Sequence, residues 1–199
     1  MSEMQSKETI RQKRWYFDYA AATPLDPRVA KIMLETGQHI YGNPSSLHLE
    51  GRAAKECIEN CRQEVANLLG AKAKEIFFCS GGSEADNLAI LGVARANKER
   101  GKHIVISSIE HKAIHTAAVS LKKEGFEIDV CSVDRDGRIN LHELQELVRD
   151  DTILVSVIYA NNEIGTIQDL QMVSRAVKDK NPGCYVHTDA CQAVNYLDI

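Results

Sequence analysis

Four short stretches of this chain place polar side chains where an apolar segment ends, and each has chemistry to offer. The first is Ser80-Gly81-Gly82-Ser83, set between Ile76-Phe77-Phe78-Cys79 and a stretch with helical spacing. Two glycines permit close backbone approach, and Ser83 is placed to cap the helix with Asp86 three residues on. The free N–H groups of such a helix start attract phosphate. Taken alone, the turn is equally an ordinary strand-to-helix connection, because it matches neither common glycine-rich phosphate pattern. The second stretch, Tyr185 to Gln192, carries Asp189 to the end of an apolar strand, with Gln192 three residues later. A carboxylate there needs a cation or several donors. A protonated heteroaromatic nitrogen on a bound cofactor meets that need, and Gln192 then reaches another polar edge of the ring; capping of the next segment is the competing reading.

The third stretch has Glu110-His111 at a strand end and His115 one helical turn on. That spacing imitates a metal pair, but the Glu precedes the first His, so the metalloprotease pattern fails and no metal is assigned. His111 suits stacking on a ring or carrying a proton. The fourth, Asn161-Asn162, follows a six-residue apolar run and offers amides at the same rim, or bonds its own loop backbone. Asp134-Arg135-Asp136-Gly137 starts like a calcium loop but lacks the later ligands, and reads as a turn.

These stretches need a scaffold that brings them to one edge. Apolar runs and helical periodicity alternate along the chain: strand 76–79, helix 84–99, strand 103–107, helix 112–124, strand 126–131, helix 141–149, strand 152–159, helix 169–180 and strand 184–188. Such alternation predicts an α/β fold with a mostly parallel central sheet, right-handed crossovers and helices on both faces. Ile104-Val105-Ile106 and Ile153 to Ile158 are apolar at most consecutive positions, as in strands buried on both sides. Ligands of such sheets sit beyond the carboxyl ends of the strands, where all four polar stretches fall. Upstream, Trp15 to Tyr19 reads as a short strand or an extended arm, Asp26-Pro27 starts a helix, and a long helix covers about 47–69 until Gly70 stops it.

Composition narrows the class. The 199 residues, 44% of them hydrophobic, suffice for one large core. The 24 basic and 28 acidic side chains leave a net charge of −4 and no basic stripe, which argues against nucleic acid. No run approaches the roughly 18 apolar residues of a membrane span, and residues 1–15 form a charged leader unlike a secretory or transit peptide. The six cysteines contain no CxxC pair and read as reduced thiols, which together with the leader predicts a cytoplasmic protein. Cys57 and Cys61 share a helix face with apolar neighbours, a pattern of core packing more than of a metal half-site.

A phosphate cradle, a buried carboxylate and a histidine at one sheet edge describe a site for a phosphorylated aromatic cation, and pyridoxal 5′-phosphate is the candidate. The chain also resembles a known family. Phe17 to Pro24, Gly42 to His48, Ser80 to Asn87, Glu110-His111-Lys112, Asn161 to Gly165 and His187 to Gln192 are similar, in order, to segments of NifS/IscS-type cysteine desulfurases, which are class V, fold-type I pyridoxal-phosphate enzymes. The resemblance implies that residues 16–199 are the N-terminal part of the cofactor-binding large domain, incomplete at its C-terminus. It also implies a homodimeric enzyme that takes sulfur from L-cysteine, leaving alanine and a protein persulfide for a sulfur-acceptor or scaffold protein in iron–sulfur or thiolation pathways. Position by position, Gly82 and Ser83 match the phosphate-binding pair, His111 the ring-stacking residue that assists proton transfer, and Asp189 the partner of the ring nitrogen. Gln192 matches the donor to the phenolic oxygen, and Asn162 the residue between that oxygen and the substrate carboxylate. Ala22 and Cys191 depart from the Thr and the Ala or Thr of many relatives. The sequence ends at Ile199, ahead of the family's cofactor-anchoring lysine and nucleophilic cysteine, so neither role falls on any residue here. An isolated chain that is inactive and exposes apolar surface is the resulting expectation. Another class V enzyme, such as a selenocysteine lyase or an aminotransferase, and a non-catalytic remnant of the fold are the alternatives.

Overall fold

A computed structural model describes residues 15–194, 196 and 197; most of the proposed leader lies outside the described residues. Four parallel strands, β1 (His103–Ser107), β2 (Glu127–Cys131), β3 (Thr152–Ser156) and β4 (Tyr185–His187), form one sheet in the order β2-β1-β3-β4. Each crossover carries a helix: α4 (Lys112–Lys123), α5 (Leu141–Leu147) and α6 (Leu170–Lys180). Before them come α1 (Pro27–His39), α2 (Leu49–Leu68) and α3 (Gly82–Ala96).

Side chains alternate across the strands, so each sheet face has its own core. Ile104 and Ile106 pack with Ile90 of α3 and with Ile114 and Leu121 of α4. Val105 and Val155 face the other way, onto Leu144 of α5 and Val173 and Val177 of α6. The expected layering, with helices on both faces, is therefore present, and β1 and β3 are buried throughout.

Local signals fixed several helix ends. Asp26 Oδ1 accepts from Arg28 N at 2.8 Å ahead of Pro27, as a cap followed by proline should. Gly70, at φ +62°, closes α2 with its own N–H donating to Asn67 O and the N–H of Ala71 donating to Ala66 O, the paired bonds of a Schellman turn. The Asp134 turn is also as expected, its Oδ1 accepting from the N–H of Asp136 and of Arg138, both at 2.9 Å.

The N-terminal half departs from expectation. Residues 76–79 are not a strand: the backbone is extended at Ile76, yet no described strand lies beside it. An apolar run supplies β-propensity, but a strand exists only where a neighbour completes its hydrogen bonds. Instead Arg62 Nη1 donates to Ile76 O at 2.6 Å and its guanidinium lies 4.9 Å from the Phe78 ring centre, while Phe77 is 73% exposed. The arm reading holds for Trp15 to Tyr19, which form no strand and end in a turn with the N–H of Ala21 bonded to Asp18 O. Core packing of the Cys57–Cys61 face is not realised: Cys61 is exposed, and α2 buries only Gly51, Ala54 and Ala66. Helix α1 buries no residue at all, which fits the anticipated exposed apolar surface.

This uneven packing predicts uneven mutational cost. Ile104→Ala, at a fully buried position, should lower the unfolding free energy by about 2–5 kcal/mol. Ile32→Ala, on the exposed face of α1, should change it by less than about 0.5 kcal/mol. Urea denaturation followed by circular dichroism measures both.

Candidate functional site

The hydrogen-bond ladder between β3 and β4 continues beyond the strand ends. Val157 N donates to His187 O at 3.1 Å, and Tyr159 N to Asp189 O at 2.9 Å. This continuation carries residues 158–162 and 188–192 to the rim side by side. Together with the start of α3, the start of α4 and the N-terminal arm they enclose a cavity of about 390 Å³. All six residues expected at the site, Gly82, Ser83, His111, Asn162, Asp189 and Gln192, line it.

At the α3 end the expected cap is absent. The helix begins at Gly82 behind an uncapped Gly81, so Ser83 lies inside the first turn and makes no side-chain cap. Ser83 lines the cavity from this first turn, where the helix leaves N–H groups without an intrahelical partner. Glu84 does the local stitching, with Oε2 accepting from both N and Oγ of Ser80 at 2.6 Å. Asp86, expected as the capping partner, is instead a nearly buried wall of the cavity.

Two carboxyls and an imidazole then meet. One oxygen each of Asp86 and Asp189 and a ring nitrogen of His111 lie within 4.8 Å of one another. Burial, followed by the charge of Asp189, pushes the Asp86 carboxyl up to about 6, with His111 opposing the rise. Asp189 Oδ1 accepts from Cys191 N at 2.9 Å, so it caps the following turn and also faces the cavity; the two readings of this residue are compatible. His111 is the N-cap of α4, its Nδ1 accepting from Ala113 N at 3.2 Å. With Nδ1 engaged by the helix start, Nε2 is the ring nitrogen left for other partners.

The paired asparagines divide the work. Asn161 is a loop staple, its Nδ2 donating to Ile109 O at 2.9 Å and its Oδ1 accepting from the N–H groups of Glu163 and Ile164. Asn162 makes no such staple and turns to the cavity. Gln192 Nε2 donates to Ala20 O at 2.6 Å, tying the arm to the rim across 172 residues and leaving its second N–H for a ligand. Ala20 and Ala21 thus enter the wall, a role that small apolar residues in a loop do not announce in sequence.

Next to His111 stands Glu110, 7% exposed. Its Oε1 accepts from Ser107 Oγ at 2.5 Å and Ile158 N at 2.6 Å, and its Oε2 from Ser156 Oγ at 3.2 Å. Burial pushes this carboxyl up to about 7 against the lowering effect of those three donors, with Asp189 adding to the rise. Sequence reading noted Glu110 only as the neighbour of His111; that it clamps two strand ends could not be seen without the fold.

The donor set fits a cationic ring bearing a phosphate. Two buried carboxyls call for positive charge, a helix start with a free hydroxyl calls for an anion, and the turn at Gly82 has no room for a side chain. A Cβ there would stand 2.6 Å from Cys191 Sγ. Cys191 is exposed as a residue, yet the desolvation of its sulfur and then Asp189 raise the thiol to about 12.

Two outcomes follow from these contacts. Gly82→Ala should destabilise the chain by about 1–3 kcal/mol, and adding Cys191→Ala should recover most of the loss by removing the opposing sulfur, as a double-mutant cycle in thermal unfolding will read out. For Glu110, a carboxyl that binds its proton more tightly in the folded state contributes stability that is full below about pH 4.5 and lost as pH rises to about 7. Glu110→Gln should therefore flatten the fall in stability between those values, measured by urea denaturation across pH.

The model of the family Aminotransferase class-V matches residues 15–199. Among curated relatives, the cysteine desulfurase IscS of Clostridium botulinum (strain Hall) is 45% identical over 187 residues, covering 94% of this chain and 47% of its own length. That of Proteus mirabilis is 46% identical, with 92% and 46% covered. A solved structure titled NifS-like protein superposes with a TM-score of 0.91 at 40% identity, covering 94% of this chain and 51% of its own. SspA in complex with cysteine superposes at 0.87 and 35%, with 92% and 52% covered. The chain spans about half the length of the curated relatives it matches. The fold is thereby the fold-type I α/β architecture, present in part, and the chain belongs to the aminotransferase class-V family.

Proposed function

We propose that residues 16–199 are the N-terminal part of the cofactor-binding large domain of a cysteine desulfurase, and that their cavity holds pyridoxal 5′-phosphate. The observation that carries this reading is the convergence of a phosphate-type helix start, Asp189, His111, Asn162 and Gln192 on one cavity, in a chain 45% identical to an IscS. When bound, the cofactor supplies an electron-withdrawing ring able to stabilise negative charge at the substrate's α-carbon.

The chain's own residues prepare that ring. The first-turn N–H groups of α3 at Gly82 and Ser83, with the Ser83 hydroxyl, bind the phosphate. Asp189 holds a proton on the ring nitrogen by charge, and the buried acid Asp86 keeps its surroundings anionic. His111 lines the cavity, suited to stack on the ring and to move a proton at the substrate. Gln192 donates to the phenolic oxygen while fastened to the arm, and Asn162 bridges that oxygen and the carboxylate of L-cysteine. Water is kept from one side of the cavity by Ala20 and Ala21 of the arm.

L-cysteine as substrate, alanine and a persulfide as products, and a sulfur-acceptor or scaffold protein as partner belong to the same proposal. So does a homodimer, supported by the exposed Ile32 and Met33 of α1 and by Phe77. A cytoplasmic location accords with six free cysteines and no disulfide among the described residues. Among those residues no helix is long and apolar enough to cross a membrane.

Pyridoxamine 5′-phosphate has the cofactor's ring and phosphate but cannot condense with a lysine, so it tests the cavity alone. The wild-type chain should bind it with changed ligand fluorescence. Asp189→Asn should weaken binding by about 10- to 100-fold, the worth of one charge-assisted hydrogen bond. Equal affinity of the two proteins overturns the assignment of Asp189, and no binding by the wild type overturns the cofactor reading.

A further inference from the structure

Glu110 is one of three nearly buried acids at the rim, and the reading above gives it no role. Its two oxygens are not equivalent. Oε1 accepts from two donors, one of them the backbone N–H of Ile158, which has no alternative direction. A proton on this carboxyl therefore resides on Oε2, facing the Ser156 hydroxyl 3.2 Å away. Ser156 Oγ in turn lies 3.0 Å from His187 Nδ1.

A serine hydroxyl has one proton to give, so this chain has two states. With Glu110 ionised, Ser156 donates to Oε2 and must accept from His187, which then carries its proton on Nδ1. With Glu110 protonated, Oε2–H donates to Ser156, the hydroxyl turns, and His187 Nδ1 accepts while the ring proton sits on Nε2. Desolvation lowers the His187 pKa and favours the neutral ring in either state. The other titratable groups around the chain are Asp189, two residues beyond His187, and His111 and Lys112, next along from Glu110; Asp189 is the one whose charge bears on both ends.

We propose that Glu110 is a positioning residue of the cofactor site: its carboxyl staples the ends of β1 and β3 directly before His111, and its protonation sets the direction of a hydrogen-bond chain through Ser156 to His187 on the Asp189 strand. The staple holds His111 and Asp189 in register across the cavity, and the negative charge of ionised Glu110 adds to that of Asp189 in attracting a cationic ring. The second consequence rests on the cofactor reading; the hydrogen-bond chain does not.

The test uses the full chain with ¹⁵N-labelled histidine, reading the His187 tautomer by NMR from about pH 5 to about pH 9, with His187→Gln for assignment. In the wild type the His187 proton should pass from Nε2 to Nδ1 as Glu110 ionises. Glu110→Gln, whose amide can only donate to Ser156 while its oxygen keeps the other two donors, should hold it on Nε2 throughout. Ser156→Ala, which keeps Glu110 and breaks the chain, should abolish the coupling without removing the staple. A tautomer that follows the same course in the wild type, Glu110→Gln and Ser156→Ala overturns the proposal. Binding of pyridoxamine 5′-phosphate supplies the second readout: the ratio of wild-type to Glu110→Gln affinity should rise between about pH 6 and about pH 8, and Glu110→Ala should lose affinity that Glu110→Gln restores. A flat ratio, or equal affinities for Ala and Gln, overturns the positioning role. If the wild type binds no ligand, the cofactor reading falls while the tautomer measurement still decides the hydrogen-bond chain.

Discussion

The functional rim depends on the parallel register of β1, β3 and β4. In a parallel sheet every strand ends on the same side, so whatever residues follow the strands are gathered along one edge. Here the gathering is tightened twice over. Backbone bonds extend the β3–β4 pairing through Tyr159 and Asp189, and the Glu110 carboxyl joins Ser107 after β1's last apolar residue to Ser156 and Ile158 on the neighbouring strand. Shift that register by one residue and the side chains at the rim would exchange faces, taking Asp189 out of reach of Asp86 and His111.

The electrostatics of the cavity run against folding and in favour of binding. Three nearly buried carboxyls, Asp86, Glu110 and Asp189, are concentrated at one edge of the sheet, and burial raises the first two. A core assembled for stability alone would avoid this arrangement. The same crowding is relieved by a cation at the centre of the group, while the α3 start a few residues away favours an anion. A ligand with a positive ring and a negative phosphate would satisfy both demands in one orientation.

The two halves of the chain differ in how far they are packed. The β1–β4 sheet with α3 to α6 buries its apolar residues on both faces. The α1, α2 and 76–79 segments leave Leu68, Phe77 and Met33 largely in solvent. These segments nonetheless reach the site through the arm, since the Ala20 carbonyl binds Gln192.

Sequence by itself determined the layered α/β class, the four paired strands, the helix ends at Asp26 and Gly70, and the four stretches whose residues line the rim. These are readable because they rest on short-range patterns: consecutive apolar residues for strands buried on both faces, helical spacing for their covers, and polar residues placed just after each strand. Tertiary structure decided what depends on a distant partner. Residues 76–79 have the composition of a strand and no described neighbour to make them one. Ser83 has the identity of a cap, but the helix begins one residue before it and frees its hydroxyl. Asn161 and Asn162 are indistinguishable in a string of letters, yet Ile109, 52 residues away, claims the first and leaves the second to the cavity. Glu110 and Ala20 acquire their roles from Ser156 and Gln192 in the same way. A hydrogen bond joins donor and acceptor wherever the fold brings them together, and spacing along the chain carries no record of that meeting.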